Sequence, residues 1–343
     1  LPVDRVVSLH YFSDTTTSCL VLEGGDLVIV QEGLSPGDVH IEIMGSIDAG
    51  ITSARWSPDE ELLLIATKDG NVVFMSRSFD GIAEAAMTSA DLEASKHVSV
   101  GWGKKETQFQ GRGAKAKALR DPTIPDKVDQ GTLSPNDDGR TVVSWRGDGA
   151  YVAVNTAEAP SRRVIRVYSR EGVLDSVSEP VDGLEGALSW RPAGNLLAGV
   201  QRFSDHVDVV FFEKNGLRHG QFTIRSTEPL DDPSLNISLE WNADSTVLAV
   251  SFAGTVQLWT TGNYHWYLKQ EILLKSPFSH ASWHPEKALR LAIADTGCYP
   301  HKEFLQKTLL TKRSRQHTSL RVHARCDARL ADATRRLRSS SGY

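Results

Sequence analysis

The side chains in this sequence that could do chemistry are its carboxylates, eleven histidines, three cysteines and one dense run of lysines and arginines. Two carboxylates facing each other across a cleft can divide acid and base duties. Here they gather in turn-forming stretches, "SPDEE" at 57–61 and "SPNDDG" at 134–139, which read as solvated turns. Cys19, Cys298 and Cys326 lie far apart, with no C-x-x-C and no Cys/His pair at zinc-ligand spacing. His265, in "NYHWY", stands between aromatics and reads as a packed loop residue rather than a ligand or base. "GWGKKE" lacks the third glycine of a dinucleotide-binding turn, and Walker A, G-x-S-x-G and H-E-x-x-H patterns are all missing from the sequence. The expectation is a protein that is not an enzyme, with no catalytic residue, no cofactor and no metal.

The run of basic residues is the remaining candidate site. Residues 103–140 are too long for a hairpin turn, and connections of this length are usually functional or disordered. Its first half carries Lys104, Lys105, Arg112, Lys115, Lys117 and Arg120, with Phe109 among them. Cationic side chains beside an aromatic can hold RNA phosphates and stack a base. The other reading is a solvated loop that becomes ordered on a protein partner. Either way these seven residues are the expected contact loop.

The elements that would position such a loop are legible as a repeat. "ARWSPDEELLLIA", "SVGWGKKETQF", "VSWRGDGAYVAV", "LSWRPAGNLLAGV", "LEWNADSTVLAV" and "ASWHPEKALRLAI" place Trp56, Trp102, Trp145, Trp190, Trp241 and Trp283 at spacings of 46, 43, 45, 51 and 42 residues. "SLHYFSDTTTSCLVL" puts His10 46 residues before Trp56, giving a seventh unit. A period in the forties with short valine- and leucine-rich runs between turn residues marks β-propeller blades. Further strands are expected at "GNVVFMS", "RVIRVYS", "VDVVFFE" and "TVQLWTT", and a weak helix signal lies in "AEAAMTSADLEASKH". Each tryptophan should fill the gap between packed sheets, where burial is worth about 2–3 kcal/mol. The Trp-Asp signature of WD repeats is absent; only Trp259, in "VQLWTTG", holds the position of its tryptophan. The expected fold is therefore all-β: a divergent WD-repeat-like β-propeller of about seven blades, with the first blade and the closure incomplete.

Composition agrees with that class. The hydrophobic share is 40% and the charged share 24%, as in a soluble globular protein. The formal charge of −5 is uneven. Residues 301–343 hold 11 Lys and Arg against 3 Asp and Glu, leaving an acidic body of formal charge −13. The body suits basic protein partners. No apolar run reaches membrane-spanning length, so no membrane contact is expected. The N-terminus has no signal-peptide layout and reads as starting within a longer chain.

Three stretches exceed what a generic propeller requires: "VGWGKKETQFQGRGAKA" (100–116), "VVFFEKNGLRHGQFT" (209–223) and "VQLWTTGNYHWYLKQEI" (256–272). With "SWRGDGAYVAVN", "REGVLDSVSEPVDGL" and "EWNADSTVLAV", they resemble the Elongator complex protein 1 family, in a fungal-type version, from residue 1 to about residue 293. The resemblance implies the first of two consecutive N-terminal propellers. It implies a non-catalytic scaffold that holds a radical-SAM/acetyltransferase-like catalytic subunit and a WD-repeat subunit. It further implies support for tRNA wobble-uridine modification at carbon 5, with tRNA met through the complex. Homodimerisation in that family uses a region absent here, and the implied location is the cytoplasm, with the nucleus as a second place. The alternative is a generic propeller adaptor in another complex. The expected division is a propeller over 1–294 and a basic tail over 295–343. The tail resembles nothing in the family; it reads as a frameshifted or mis-spliced end, or as a genuine basic segment for acidic partners.

Overall fold

A computed structural model describes residues 4–33, 39–94, 129–158, 162–226, 230, 235–296 and 300–304. Its strands form six antiparallel sheets, each a meander of consecutive strands. The first contains β1 (Val6–Phe12), β2 (Thr17–Leu22), β3 (Asp26–Glu32) and β4 (Val39–Ser46). The second contains β5 (Ile51–Trp56), β6 (Leu62–Thr67), β7 (Asn71–Ser76) and β8 (Gly81–Ala86), followed by one helical turn, α1 (Ala90–Ala94). The third contains β9 (Val142–Trp145), β10 (Tyr151–Glu158), β11 (Arg162–Ser169) and β12 (Leu174–Val177). The fourth contains β13 (Leu184–Trp190), β14 (Leu196–Arg202), β15 (Val207–Glu213) and β16 (Arg218–Thr223). The fifth contains β17 (Ile237–Trp241), β18 (Leu248–Phe252), β19 (Thr255–Gly262) and β20 (His265–Leu273). The sixth contains β21 (Phe278–Trp283), β22 (Arg290–Asp295) and β23 (Pro300–Phe304). These are propeller blades, and the fold is an all-β, divergent WD-repeat-like propeller of about seven blades. The last described strand, β23, lies beyond residue 294, where the sequence placed the end of the propeller.

Two compact units divide the described chain, the first ending at Leu235 and the second beginning at Asn236. In the first unit, blade packs on blade. Phe12, Cys19, Val21 and Leu27 of the first sheet meet Ile51, Trp56, Leu63 and Ile65 of the second. Leu64 and Phe74 of the second meet Trp145, Val152, Val154 and Tyr168 of the third. Ile165 and Val167 of the third meet Leu188, Trp190, Leu197 and Phe212 of the fourth. In the second unit, Val256, Leu258 and Ile272 meet Trp283, Leu291 and Ile293. Strands such as β10 and β15 are buried on both faces, so they read as unbroken apolar runs.

Trp56, Trp145, Trp190 and Trp283 are inter-blade wedges, and two of them share a polar tie. Trp145 Nε1 donates to the Arg55 carbonyl at 3.0 Å, and Trp283 Nε1 donates to the Glu240 carbonyl at 3.1 Å. In both cases the acceptor is the residue just before the previous blade's tryptophan. Trp190 varies the theme: its backbone N–H takes the Ser144 hydroxyl at 2.8 Å, while its indole bonds the Gly194 carbonyl at 3.2 Å. Trp102 lies outside the described residues. The sheets opened by Trp56 and Trp145 pack directly on each other, so the chain between β8 and β9 joins neighbouring blades.

Two local expectations are corrected. The helix signal in "AEAAMTSADLEASKH" gives β8 over its first part, because Ala83 and Ala85 turn onto the core as β8 pairs with β7; among its described residues, Ala90–Ala94 is helical. The Gly147–Asp148–Gly149 turn also does more than reverse the chain. A Cβ on Gly147 would stand 2.7 Å from the Pro192 carbonyl oxygen, and its N–H bonds that oxygen at 3.1 Å. This glycine lets the turns of adjacent blades touch.

Candidate functional site

The seven residues of the expected contact loop, Lys104, Lys105, Phe109, Arg112, Lys115, Lys117 and Arg120, lie outside the described residues. What the structure places is the chain on either side of them, where buried charges are concentrated.

The outgoing side runs through Thr88, two residues before α1, and Asp91 of its first turn. Arg166 of β11, with its side chain 1% exposed, donates from Nε to Asp91 Oδ2 at 3.1 Å and from Nη2 to the Thr88 carbonyl at 3.0 Å. The same guanidinium reaches Glu158 Oε2 at 3.1 Å and Thr156 Oγ1 at 3.3 Å. The returning side is gripped by Arg163, whose side chain is fully buried. Its Nε and Nη2 donate to Asp137 at 2.5 and 2.9 Å, and its Nη1 donates to the Arg140 carbonyl at 2.8 Å. Asp137 is thus a buried ion-pair partner and not the solvated turn residue its sequence suggested. A buried carboxylate this close to a guanidinium is held by charge-assisted, bidentate geometry.

A third group sits beside them. Ser134 Oγ and the Arg202 guanidinium both donate to the Glu185 carboxylate, and Arg202 also reaches the Leu235 carbonyl at 3.4 Å. Asp182 Oδ1 accepts the backbone N–H groups of Gln130, Gly131 and Thr132 at 3.0, 2.9 and 3.0 Å. Burial alone would raise the Asp182 carboxyl, but these donors outweigh it and hold its pKa below the usual aspartate value. A carboxyl whose folded pKa is depressed stabilises the fold above the unfolded pKa, and that contribution is lost as pH falls through the folded value. Asp182→Ala is therefore expected to cost about 1–2 kcal/mol at pH 7. The gap between variant and parent in urea unfolding should shrink below about pH 4. A gap that stays constant down to pH 2.5 would rule out this role.

The blade ends carry lighter ties. Asp14, in the β1–β2 turn, takes both oxygens to Arg77 Nη2 at 2.6 Å, and Asp59, in the β5–β6 turn, meets Arg170 at 2.8 Å. Each joins a turn of one blade to the far turn of the next, and each is solvent-exposed enough to add little stability.

In the second unit, the "GNYHWYLKQ" stretch forms the β19–β20 hairpin. Asn263 and Tyr264 occupy its turn with φ of 51° and 63°, and Tyr264 is fully exposed. His265 is exposed at the start of β20 rather than packed; the neighbour that turns inward is Trp266, with its ring 5.8 Å from Trp241. Trp259 is buried and its indole bonds Gln257 Oε1 at 3.1 Å. Among the described residues, no group of three or more His, Cys, Asp or Glu side chains is placed to hold a metal ion, and no helix is long and apolar enough to cross a membrane.

One broad apolar surface is open. On one face of the first sheet, Leu9 pairs with Leu20, Leu20 with Val28 and Val28 with Ile43; beside them run Tyr11, Ser18, Val30 and Ile41 in register. Leu9, Ile41 and Ile43 are each more than 60% exposed.

Comparison with known proteins matches residues 1–286 to the family described as the ELP1 first N-terminal beta-propeller. Elongator complex protein 1 from Schizosaccharomyces pombe is 48% identical over 296 residues, covering 85% of this chain and 23% of that protein. The Saccharomyces cerevisiae protein of the same name is 45% identical over 338 residues, covering 89% of this chain and 25% of that protein. The mouse protein is 39% identical over 312 residues, with 85% and 22% covered. The chain thus spans about a quarter of the length of these relatives.

Proposed function

The chain belongs to the Elongator complex protein 1 family, and from that premise we propose that it is a non-catalytic scaffold propeller of the Elongator complex. In this reading it helps hold the catalytic radical-SAM/acetyltransferase-like subunit and a WD-repeat subunit while the complex modifies the wobble uridine of tRNA at carbon 5. It works in the cytoplasm, with the nucleus as a second location.

The observation that carries the proposal is the family match across residues 1–286, which takes in nearly all the described blades. The chemistry of the described residues supports it. Arg163, Arg166, Glu185 and Arg202, all buried charges, are engaged in holding one segment of the chain to another. Apolar surface, by contrast, is presented on a four-stranded sheet. A rigid blade face is suited to binding other proteins.

The test is a full-length family protein from which the region equivalent to residues 1–294 is deleted. The expected result is loss of the catalytic subunit from the purified complex and loss of the modified wobble uridine. If both persist, the scaffold reading fails.

The contact loop has its own test. Neutralising Lys104, Lys105, Arg112, Lys115, Lys117 and Arg120 together is expected to weaken either subunit pull-down or tRNA binding at low salt. If RNA phosphates are the target, the slope of log affinity against log salt should fall by roughly 4, since each cation on single-stranded RNA contributes about 0.7. Unchanged binding to both would remove the loop from the interface.

A further inference from the structure

The sequence "SRRVIRVYS" is an apolar strand interrupted by three arginines, and the structure gives two of them, Arg163 and Arg166, the same kind of target: an aspartate and a backbone carbonyl. Arg162 of β11 bridges Thr132 through its backbone, and its side chain lies 3.0 Å from where a Cβ of Gly131 would stand. Arg163 grips Asp137 and the Arg140 carbonyl. Arg166 grips Asp91 and the Thr88 carbonyl. Thr88 and Asp91 precede the 95–128 connection, and residues 131–140 follow it.

We propose that β11 is a charge clasp that fixes both ends of the connection between β8 and β9 on one strand. Three features set it apart from ordinary blade packing. First, the sequence places Arg163 and Arg166 three residues apart, so they project from opposite faces of β11 and reach opposite ends of the connection. Second, two of the acceptors are backbone carbonyls, of Thr88 and Arg140, so the clasp fixes the path of the chain as well as pairing charges. Third, the neighbouring blades are joined by apolar contacts that use neither arginine, with Phe74, Trp145 and Tyr168 on one side and Ile165, Trp190 and Phe212 on the other. The clasp and the blade core are therefore separable, and the ends of the connection should open as a local unit while the sheets stay closed.

Hydrogen–deuterium exchange on the whole chain tests this. In Asp91→Asn and Asp137→Asn, which weaken one grip each and keep side-chain volume, amides at 88–92 and 136–141 respectively should exchange roughly ten times faster or more. Amides in β10, β14 and β15 should keep their protection within about twofold. Arg166→Met and Arg163→Met should show the same pattern more strongly. The proposal is overturned if the ends keep their parental protection. It is equally overturned if the core strands lose protection in step with them in the Asn variants, since the arginines would then be general core ties.

Discussion

Trp145→Ala is expected to destabilise the chain by about 3–5 kcal/mol, read as a shift of the urea midpoint with the slope unchanged. The side chain is 6% exposed and stands in a cluster with Leu64, Phe74 and Val154 drawn from two blades. Its ring centroid is 6.4 Å from that of Phe74 in an edge-on arrangement. Truncation leaves a cavity that two sheets, each fixed by its own hydrogen bonds, cannot collapse to fill. It also strands the Arg55 carbonyl, which now receives the indole N–H. Trp145→Phe keeps most of the area and loses only that donor, so it should cost about 1–2 kcal/mol. A loss below about 1 kcal/mol for the alanine variant would show that the ring is not a wedge.

Arg202→Met should be nearly as severe, at about 3–5 kcal/mol, for a different reason. Glu185 is buried and takes donors from Ser134 and Arg202. Without the guanidinium its charge remains inside with one hydroxyl for company, and the carbonyls of Leu230 and Leu235 lose their donor. Combining Arg202→Met with Glu185→Gln removes the stranded charge and should recover part of the loss. If the double variant is no more stable than the single one, the carboxylate is not what makes the arginine necessary.

The sequence made some of this visible and hid the rest for identifiable reasons. Inner strands such as β10 and β15 are covered on both faces, so "YVAVN" and "VDVVFFE" announce themselves as apolar runs. Outer strands are covered on one face at most. "GIAEAA" and "RHGQFT" alternate weakly, and alanine's helix preference masks the first of them. The tryptophan spacing revealed the blades, but 46 residues is also the spacing at Trp102, where β8 to β9 is a step between neighbours. Asp137 reads as a turn residue because a carboxylate's sequence neighbours do not name its partner. Arg163 and Arg166 were the available signal: two cations set among the valines, isoleucine and tyrosine of β11 must find anions when buried. Pairing them with residues some 25 and 75 positions away required the fold.

The clasp on β11 also bears on how this protein can vary. A free connection adds an entropic cost each time its ends must be brought together, and that cost depends on its length. Here the ends are pinned to one strand by their own contacts, so the sheets do not rely on a short connection to meet. For any flexible connection, doubling the length adds only about 0.6 kcal/mol. A change of length inside 95–128 is therefore expected to leave the grips on Asp91 and Asp137, and the contacts of residues 130–134, in place. The number of residues in that connection and the fit of the blades on either side of it are thereby set independently.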